Sequence, residues 1–197
     1  MHLKLYIWIL ALSILGIFGL NLVFLGKSGD IFFLYLWSFL NPIVIFALDA
    51  LIATVIHHTF IPQSYFSAEK KRFSVSEKEM KFYRKIRINS WKDLIPETGK
   101  LTTGLSKGKI ESTGKDYLKT FITETCYAEV IHIWMSLAGF IPLIASYFFQ
   151  RNFFLSIALP HALINFLLNI PPILIQRNNR PKLLHMYMRE TKKRNWC

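Results

Sequence analysis

Residues 31–56 read IFFLYLWSFLNPIVIFALDALIATVI, and this stretch decides the fold class. Asp49 is its only charged side chain. A helix of this length is about 39 Å long at 1.5 Å per residue, which is enough to cross a hydrocarbon core about 30 Å thick. Comparable apolar runs occupy residues 5–25, 127–149 and 153–175. The sequence therefore predicts an all-α, polytopic membrane protein with four transmembrane helices.

Short polar turns separate the helices within each half of the chain. Residues 26–30 (GKSGD) follow the first helix, and residues 150–152 (QRN) follow the third. Lys4 precedes the first apolar run, as a cation precedes a secretory signal, but the run lacks a small-residue cleavage motif. We therefore expect this helix to be retained, and the whole of residues 1–197 to form one integral membrane domain.

The distribution of positive charge predicts the orientation of these helices. The chain has 24 Lys and Arg residues against 12 Asp and Glu residues, a net charge of +12, although its mean hydropathy is +0.31. Fourteen of the basic residues lie in residues 57–119 and seven lie in residues 176–197. Because basic residues accumulate on the cytoplasmic side of membranes, we expect both termini, the segment 57–119 and the tail 176–197 to be cytoplasmic.

Basic and aromatic residues are interleaved in the segment 57–119, as in Lys81-Phe82-Tyr83-Arg84-Lys85. This pattern is typical of a helix in the headgroup plane, with rings at the acyl boundary and cations on lipid phosphates. Nucleic-acid binding would use similar residues. The adjacent apolar runs favour membrane lipids as the partner, and nucleic acid is not an expected partner.

Ionisable side chains in or beside the apolar runs are candidate functional residues, because hydrocarbon disfavours them unless they pair or line a cavity. Asp49 and His132 lie at similar depths in the second and third helices and could meet. Glu129 and His132 share one face of the third helix, with Glu124 nearby. The alternative is structural, with His132 and Glu129 satisfying each other and Asp49 pairing with His57 or a cytoplasmic Lys.

The end of the fourth helix carries a second group of candidates. Pro171-Pro172 is expected to interrupt the helix, and the chain continues as QRNNRP over residues 176–181. Cations beside amides suit the binding of a phosphate-bearing donor by Gln176, Arg177, Asn179 and Arg180. A basic flank that serves only to orient the helix is the alternative.

These residue types point to acyl transfer. A His oriented by a carboxylate can take a proton from an alcohol that attacks a thioester, and arginines can hold pyrophosphate or a developing oxyanion. The chain has no nucleophile elbow, phosphate-binding glycine loop or dinucleotide fingerprint. Membrane di-iron enzymes need several closely spaced His motifs, which this chain lacks, so we expect no metal and no cofactor.

Three motifs carry a resemblance to a known family. They are Arg87-Ile88-Asn89-Ser90-Trp91-Lys92-Asp93, then Glu124-Thr125-x-x-Ala128-Glu129-x-Ile131-His132, and Asn169-Ile170-Pro171-x-Ile173-x-x-Gln176-Arg177-x-Asn179-Arg180-Pro181-x-Leu183. In order and spacing they resemble the glycosyl-4,4'-diaponeurosporenoate acyltransferase family. Those bacterial enzymes esterify the sugar of a glycosylated carotenoid with a fatty acyl chain, in staphyloxanthin-type biosynthesis.

The resemblance implies a multi-pass protein of the bacterial cell membrane that uses acyl-CoA or a similar acyl thioester as donor and a glycosylated lipid or carotenoid as acceptor. His132 would be the general base and Glu129 would orient it. Asp49 and Glu124 would support the catalytic group, and the substrate-binding residues would be Trp91, Gln176, Arg177, Asn179 and Arg180.

Two other functions are open at this point. The QRNNRP segment is also similar to the C-terminal region of isoprenylcysteine carboxyl methyltransferases, which would use the basic residues to bind S-adenosylmethionine. A non-catalytic lipid-binding subunit would need the basic interfacial segment but not the Glu and His residues of the third helix.

Overall fold

A computed structural model of the chain describes residues 2–25, 31–58, 62–95, 110, 112–149 and 153–194. These residues form helices and turns, and no strand occurs among them. Four helical segments are long and apolar enough to cross a membrane: Ile7–Phe24, Ile31–His58, Lys115–Phe148 and Phe154–Lys192. The predicted all-α class and the four apolar spans are therefore confirmed.

The helices follow one another along the chain with bounds that differ in places from the apolar runs. The described α-helices are α1 (His2–Leu25), α2 (Ile31–His58), α3 (Glu77–Lys85), α4 (Ile88–Trp91), α5 (Lys115–Ala138), α6 (Ile141–Phe149) and α7 (Leu159–Arg194). Short 3₁₀ turns lie at Gln63–Phe66, Lys71–Phe73 and Lys92–Leu94, and a π-helical turn lies at Phe154–Ala158.

The third apolar run is divided between two helices, although the sequence predicts one helix over residues 127–149. A turn at Gly139 and Phe140 separates α5 from α6. A Cβ atom at Gly139 would lie 2.6 Å from Asn165 Nδ2, and that same nitrogen donates a hydrogen bond to the carbonyl of Met135 at 3.0 Å. The glycine therefore allows a close approach that a side chain would prevent.

The sequence predicts that Pro171-Pro172 interrupts the fourth helix. In the structure the helix continues through both prolines to Arg194. A proline removes its own backbone donor and crowds the carbonyl four residues earlier, and neighbouring groups in membrane proteins can satisfy the backbone groups that are freed. Beyond the prolines the helix has a buried face, on which Ile175, Arg180 and Leu183 are at most 4% exposed. Tertiary packing therefore stabilises helical backbone where local propensity opposes it.

The chain forms two compact units. The first contains Met1–His58 and Ile131–Ile170, and the second contains Thr59–Val130 and Pro171–Cys197. In the first unit, a core of apolar side chains is surrounded by outward-facing ones, of which Phe24, Phe46 and Phe148 are 77%, 74% and 74% exposed. Large apolar side chains on the outside of a helical bundle are expected where lipid is the solvent.

The second unit contains the described part of the predicted interfacial segment. Helix α3 begins with a capping box, in which Ser76 Oγ accepts from the backbone of Glu79 at 3.2 Å and Glu79 Oε2 accepts from the backbone of Ser76 at 3.3 Å. Arg87 has a left-handed backbone, with φ of 52°, and turns the chain from α3 into α4. Tyr83 and Ile88 on these two helices pack with Ile175 of α7.

Candidate functional site

The first unit contains a polar group around His132 of α5. His132 Nδ1 lies 2.8 Å from Asn169 Oδ1 of α7. The Asn169 amide is oriented by its other end, because Nδ2 donates to the backbone carbonyl of Asn165 at 3.0 Å and to Asn165 Oδ1 at 3.2 Å. An amide oxygen only accepts hydrogen bonds, so Nδ1 of the ring is the donor. In the neutral ring, Nε2 is then the nitrogen that can accept a proton.

Asp49 of α2 belongs to the same group. Its carboxylate interacts with the side chains of Asn165 and Asn169. The Oδ1 atom is buried and has no hydrogen-bond partner among the described residues. The structure therefore brings Asp49 and His132, which the sequence places at one depth, to the two sides of a shared Asn169. We call Asp49, His132, Asn165 and Asn169 the His132 group.

Sequence analysis did not single out Asn169 as a site residue, although a signal for it exists. His161, Asn165 and Asn169 repeat at intervals of four along α7, which places three polar side chains on one helix face. His161 Nδ1 lies 3.2 Å from Asn41 Nδ2 of α2. A polar stripe on the apolar part of a membrane helix indicates contact with polar groups of other helices.

The second unit contains Arg177, whose guanidinium is bound by two carboxylates. Arg177 Nε and Nη2 lie 2.6 and 3.1 Å from the two oxygens of Glu79, and Nη1 lies 2.5 Å from Glu129 Oε1. Nη2 also donates to the carbonyl of Ser74 at 3.0 Å. Arg177 therefore joins α3, α5 and the segment that precedes α3.

Arg180 lies one helical turn further along α7 and is fully buried. Its Nε and Nη2 donate to Thr125 Oγ1 and the Thr125 carbonyl at 2.9 and 2.8 Å, and Nη1 donates to the carbonyl of Phe73 at 2.9 Å. Nη2 also forms an ion pair with Glu129 Oε2 at 2.6 Å. Every nitrogen of this guanidinium is therefore bound by protein atoms.

Glu79, Glu129, Arg177 and Arg180 form what we call the arginine–carboxylate network. Two negative and two positive charges balance, and the interior holds them because each is paired and hydrogen-bonded. These contacts favour a structural role for Arg180. They also give Glu129, which the sequence predicts to orient His132, two arginines as partners, while Asn169 supplies an orienting contact to the ring.

Glu79 is the network residue that sequence analysis missed. The Ser-x-x-Glu pattern of residues 76–79 marks a helix start and could have indicated it. The pKa of Glu79 is lowered to about 2, chiefly because Arg177 donates hydrogen bonds to its carboxylate. Tyr83 donates a hydrogen bond to Glu79 Oε1 at 2.5 Å. The pKa of Tyr83 is raised to about 12, chiefly because the side chain is buried and secondly because of this hydrogen bond.

Glu79 should make stability depend on acid in a defined pH range. A carboxyl whose pKa falls on folding stabilises the folded state above its unfolded pKa, near 4.5, and loses that contribution as the pH falls through about 2. We expect the thermal midpoint of the wild-type protein in detergent to exceed that of Glu79→Gln by a constant amount above pH 5. The difference should shrink steadily below pH 4.5. A difference that does not change between pH 5 and pH 2 would contradict the ionised pair.

Two of the sequence motifs meet in the second unit at Asn89. Asn89 Oδ1 of α4 accepts hydrogen bonds from Lys182 Nζ at 3.1 Å and from Asn178 Nδ2 at 3.4 Å, both on α7. Trp91, a predicted substrate-binding residue, donates from Nε1 to the carbonyl of Ile86 at 2.9 Å. Its ring packs against the core of this unit.

The remaining predicted site residues lie on α5 and α7. Glu124, Gln176 and Asn179 are half-buried. Glu124 is close enough for its charge to act on Tyr127. The described residues contain no group of three or more His, Cys, Asp or Glu side chains arranged to hold a metal ion.

Comparison with known proteins identifies one family. The model of the CrtO family, described as glycosyl-4,4'-diaponeurosporenoate acyltransferase, matches residues 62–189, about two thirds of the chain. No curated protein and no solved structure matches the chain. The matched range contains the three motifs, the arginine–carboxylate network, and all of the His132 group except Asp49. The chain therefore belongs to the glycosyl-4,4'-diaponeurosporenoate acyltransferase family, whose membership implies acyltransferase activity.

Proposed function

We propose that this protein transfers a fatty acyl chain from an acyl thioester to a sugar hydroxyl of a glycosylated membrane lipid, with a glycosyl carotenoid as the acceptor. Family membership supports the reaction class. The observation that carries the chemistry is the hydrogen bond of 2.8 Å between His132 Nδ1 and Asn169 Oδ1, because it makes Nε2 the basic nitrogen of the ring.

His132 acts as the general base in this proposal. Nε2 takes the proton of the acceptor hydroxyl as the hydroxyl oxygen attacks the thioester carbonyl. The tetrahedral intermediate collapses with cleavage of the carbon–sulfur bond, and the proton on Nε2 passes to the departing thiolate. The products are the sugar ester and a free thiol, so atoms and charge balance without a metal or a redox cofactor.

Asp49 positions the acceptor. Its buried Oδ1, which has no partner among the described residues, can accept a hydrogen bond from a sugar hydroxyl. A carboxylate hydrogen-bonded to hydroxyl groups is favourable in a low-dielectric site, where the alternative is an unsatisfied acceptor. A sugar offers adjacent hydroxyl groups, so one could meet Asp49 while its neighbour meets His132. A simple alcohol could make only one of these contacts.

The residues of the second unit have supporting roles in the proposal. Arg177, Arg180 and Glu129 hold α7 to α3 and α5 through the arginine–carboxylate network. Glu124, Gln176 and Asn179, which are half-buried, contact the substrates in this proposal. In this proposal the protein lies in the bacterial cell membrane, and the distribution of its positive charge supports cytoplasmic termini. The acceptor then stays in lipid while a water-soluble thioester arrives from the cytoplasm.

The test is a transfer assay on the full-length protein in lipid nanodiscs. A glycosyl carotenoid is supplied with palmitoyl-CoA, and the lipid extract is analysed by mass spectrometry. The expected product is heavier than the acceptor by one palmitoyl group and requires the sugar, so the aglycone carotenoid gives none.

A parallel reaction replaces palmitoyl-CoA with isotopically labelled S-adenosylmethionine. Methyl transfer to lipid without acyl transfer would overturn the proposal in favour of a methyltransferase. Failure of both donors, with correctly inserted protein, would favour a non-catalytic lipid-binding subunit.

A further inference from the structure

A second group of cations lies in the same unit as the arginine–carboxylate network but has different surroundings. Asn178 and Lys182 are four residues apart on α7 and both donate to Asn89 Oδ1. Lys92 follows Asn89 by three residues in the next helical turn, so the two lie on neighbouring positions of one face. We call Asn89, Lys92, Asn178 and Lys182 the Asn89 cluster.

The cluster carries two positive charges, on Lys92 and Lys182. Lys92 is near enough for its positive charge to act on Lys182. No carboxylate of the described residues forms an ion pair with either lysine, whereas Arg177 and Arg180 are fully paired. Asp93 is adjacent in sequence but exposed. Lys182 is exposed and Lys92 is half-buried, so a negatively charged ligand could reach both positive charges.

Asn89 and the two lysines of the cluster present hydrogen-bond donors. The oxygen of Asn89 is occupied by Asn178 and Lys182, so its Nδ2 is the end that remains for a ligand, and Nδ2 makes no hydrogen bond to a described residue. An ammonium group has three donors, and the contact with Asn89 uses one of those on Lys182. This combination of amide and ammonium donors matches the acceptor oxygens of a phosphate group.

The backbone before the cluster is strained in a way that places these donors. Arg87 adopts a left-handed conformation, which is uncommon for a residue with a Cβ atom and costs free energy. The turn at Arg87 starts α4, whose Ile88 is buried against Ile175 of α7. That packing directs the following Asn89 toward Asn178 and Lys182. Such strain is retained when the surrounding structure requires it.

We infer that the Asn89 cluster is a phosphate-binding site. The ligand is an anionic phosphate ester, held by Lys92 and Lys182 with Asn89 as a neutral donor. Two sources can supply this chemistry: the nucleotide phosphates of a coenzyme A thioester, or the headgroup of an anionic lipid. The first source rests on the proposed function, because it makes the cluster the headgroup site of the acyl donor.

Binding of free coenzyme A tests the first source without requiring catalysis. The full-length protein is placed in nanodiscs of phosphatidylcholine alone, and coenzyme A is titrated calorimetrically at two salt concentrations. Removing both lysines (Lys92→Ala with Lys182→Ala) should weaken binding by about tenfold or more, because each removes a charge-assisted hydrogen bond. Lys182→Arg keeps the charge and should retain most of the affinity. Lys119→Ala, an exposed lysine of α5, is the matched control and should bind as wild type.

Native mass spectrometry of protein from nanodiscs containing phosphatidylglycerol tests the second source. If the double variant retains fewer phosphatidylglycerol molecules than wild type but binds coenzyme A equally, the phosphate site stands and its ligand is a lipid. If neither coenzyme A nor phosphatidylglycerol binding responds to the two lysines, the inference is overturned. Coenzyme A binding that depends on the lysines, in a protein that shows no acyl transfer, would support this site while contradicting the proposed function.

Discussion

Acyl transfer by the His132→Ala variant should be about 10²–10⁴-fold slower than by the wild-type protein, as measured by kcat in the nanodisc assay. This is the usual contribution of a positioned general base. The ring is half-buried, and its hydrogen bond to Asn169 joins two neutral side chains, so the variant should insert and accumulate normally. Equal rates at equal protein level would remove His132 from the mechanism.

The Asn169→Leu variant tests whether the orientation of the His132 ring matters for catalysis when the ring itself is present. Leucine has a similar volume but cannot accept the hydrogen bond from His132 Nδ1, so the preferred tautomer of the ring is lost. We expect kcat to fall less than in His132→Ala. The pH profile of kcat should also shift, which loss of packing alone would not cause.

Asp49→Asn, by contrast, should raise the KM for the sugar acceptor more than it lowers kcat.

Replacement of Arg180 should have the largest effect on stability. Arg180→Met removes a fully buried guanidinium and leaves half of the Glu129 carboxylate, the Thr125 hydroxyl and the Phe73 carbonyl without their donor. Breaking a buried ion pair by removing one partner costs about 3–5 kcal/mol. A loss of this size in the free energy of unfolding should appear as a lower thermal midpoint in detergent and reduced protein in the membrane.

Arg189→Met is the matched control, because Arg189 lies on the same helix and is exposed. It should unfold at nearly the wild-type temperature. Combining Arg180→Met with Glu129→Gln should recover part of the loss, since the second change removes the unpaired charge. If Arg180→Met were as stable as Arg189→Met but inactive, the guanidinium would serve a substrate rather than the fold, as the sequence motif predicts.

The contacts of the two arginines show why residue type alone does not identify the partner of a charge. In the sequence, Arg177 and Arg180 stand in a polar segment beside amides, where a ligand for them is a natural expectation. The carboxylate of Glu79 that binds Arg177 lies 98 residues earlier in the chain. The sequence gives no reason to single out Lys92 and Lys182, which form no ion pair with a carboxylate of the described residues. Only the fold shows which positive charges are already neutralised.

Local composition determined the fold class, because a span of apolar residues has the same requirement for internal hydrogen bonding wherever it lies in the chain. Depth along the helices was equally readable, which is why Asp49 and His132 could be predicted to approach each other. Helix rotation and long-range pairing were not readable from the sequence.

Tertiary structure alone decided that Asn169 lies between Asp49 and His132, and that α7 continues through Pro171-Pro172 to place Arg177 and Arg180 against carboxylates. The physical reason is that these outcomes depend on contacts between residues far apart in sequence. Burying and pairing these residues contributes more free energy than their local conformational preferences do, and a sequence pattern reports only the local preferences.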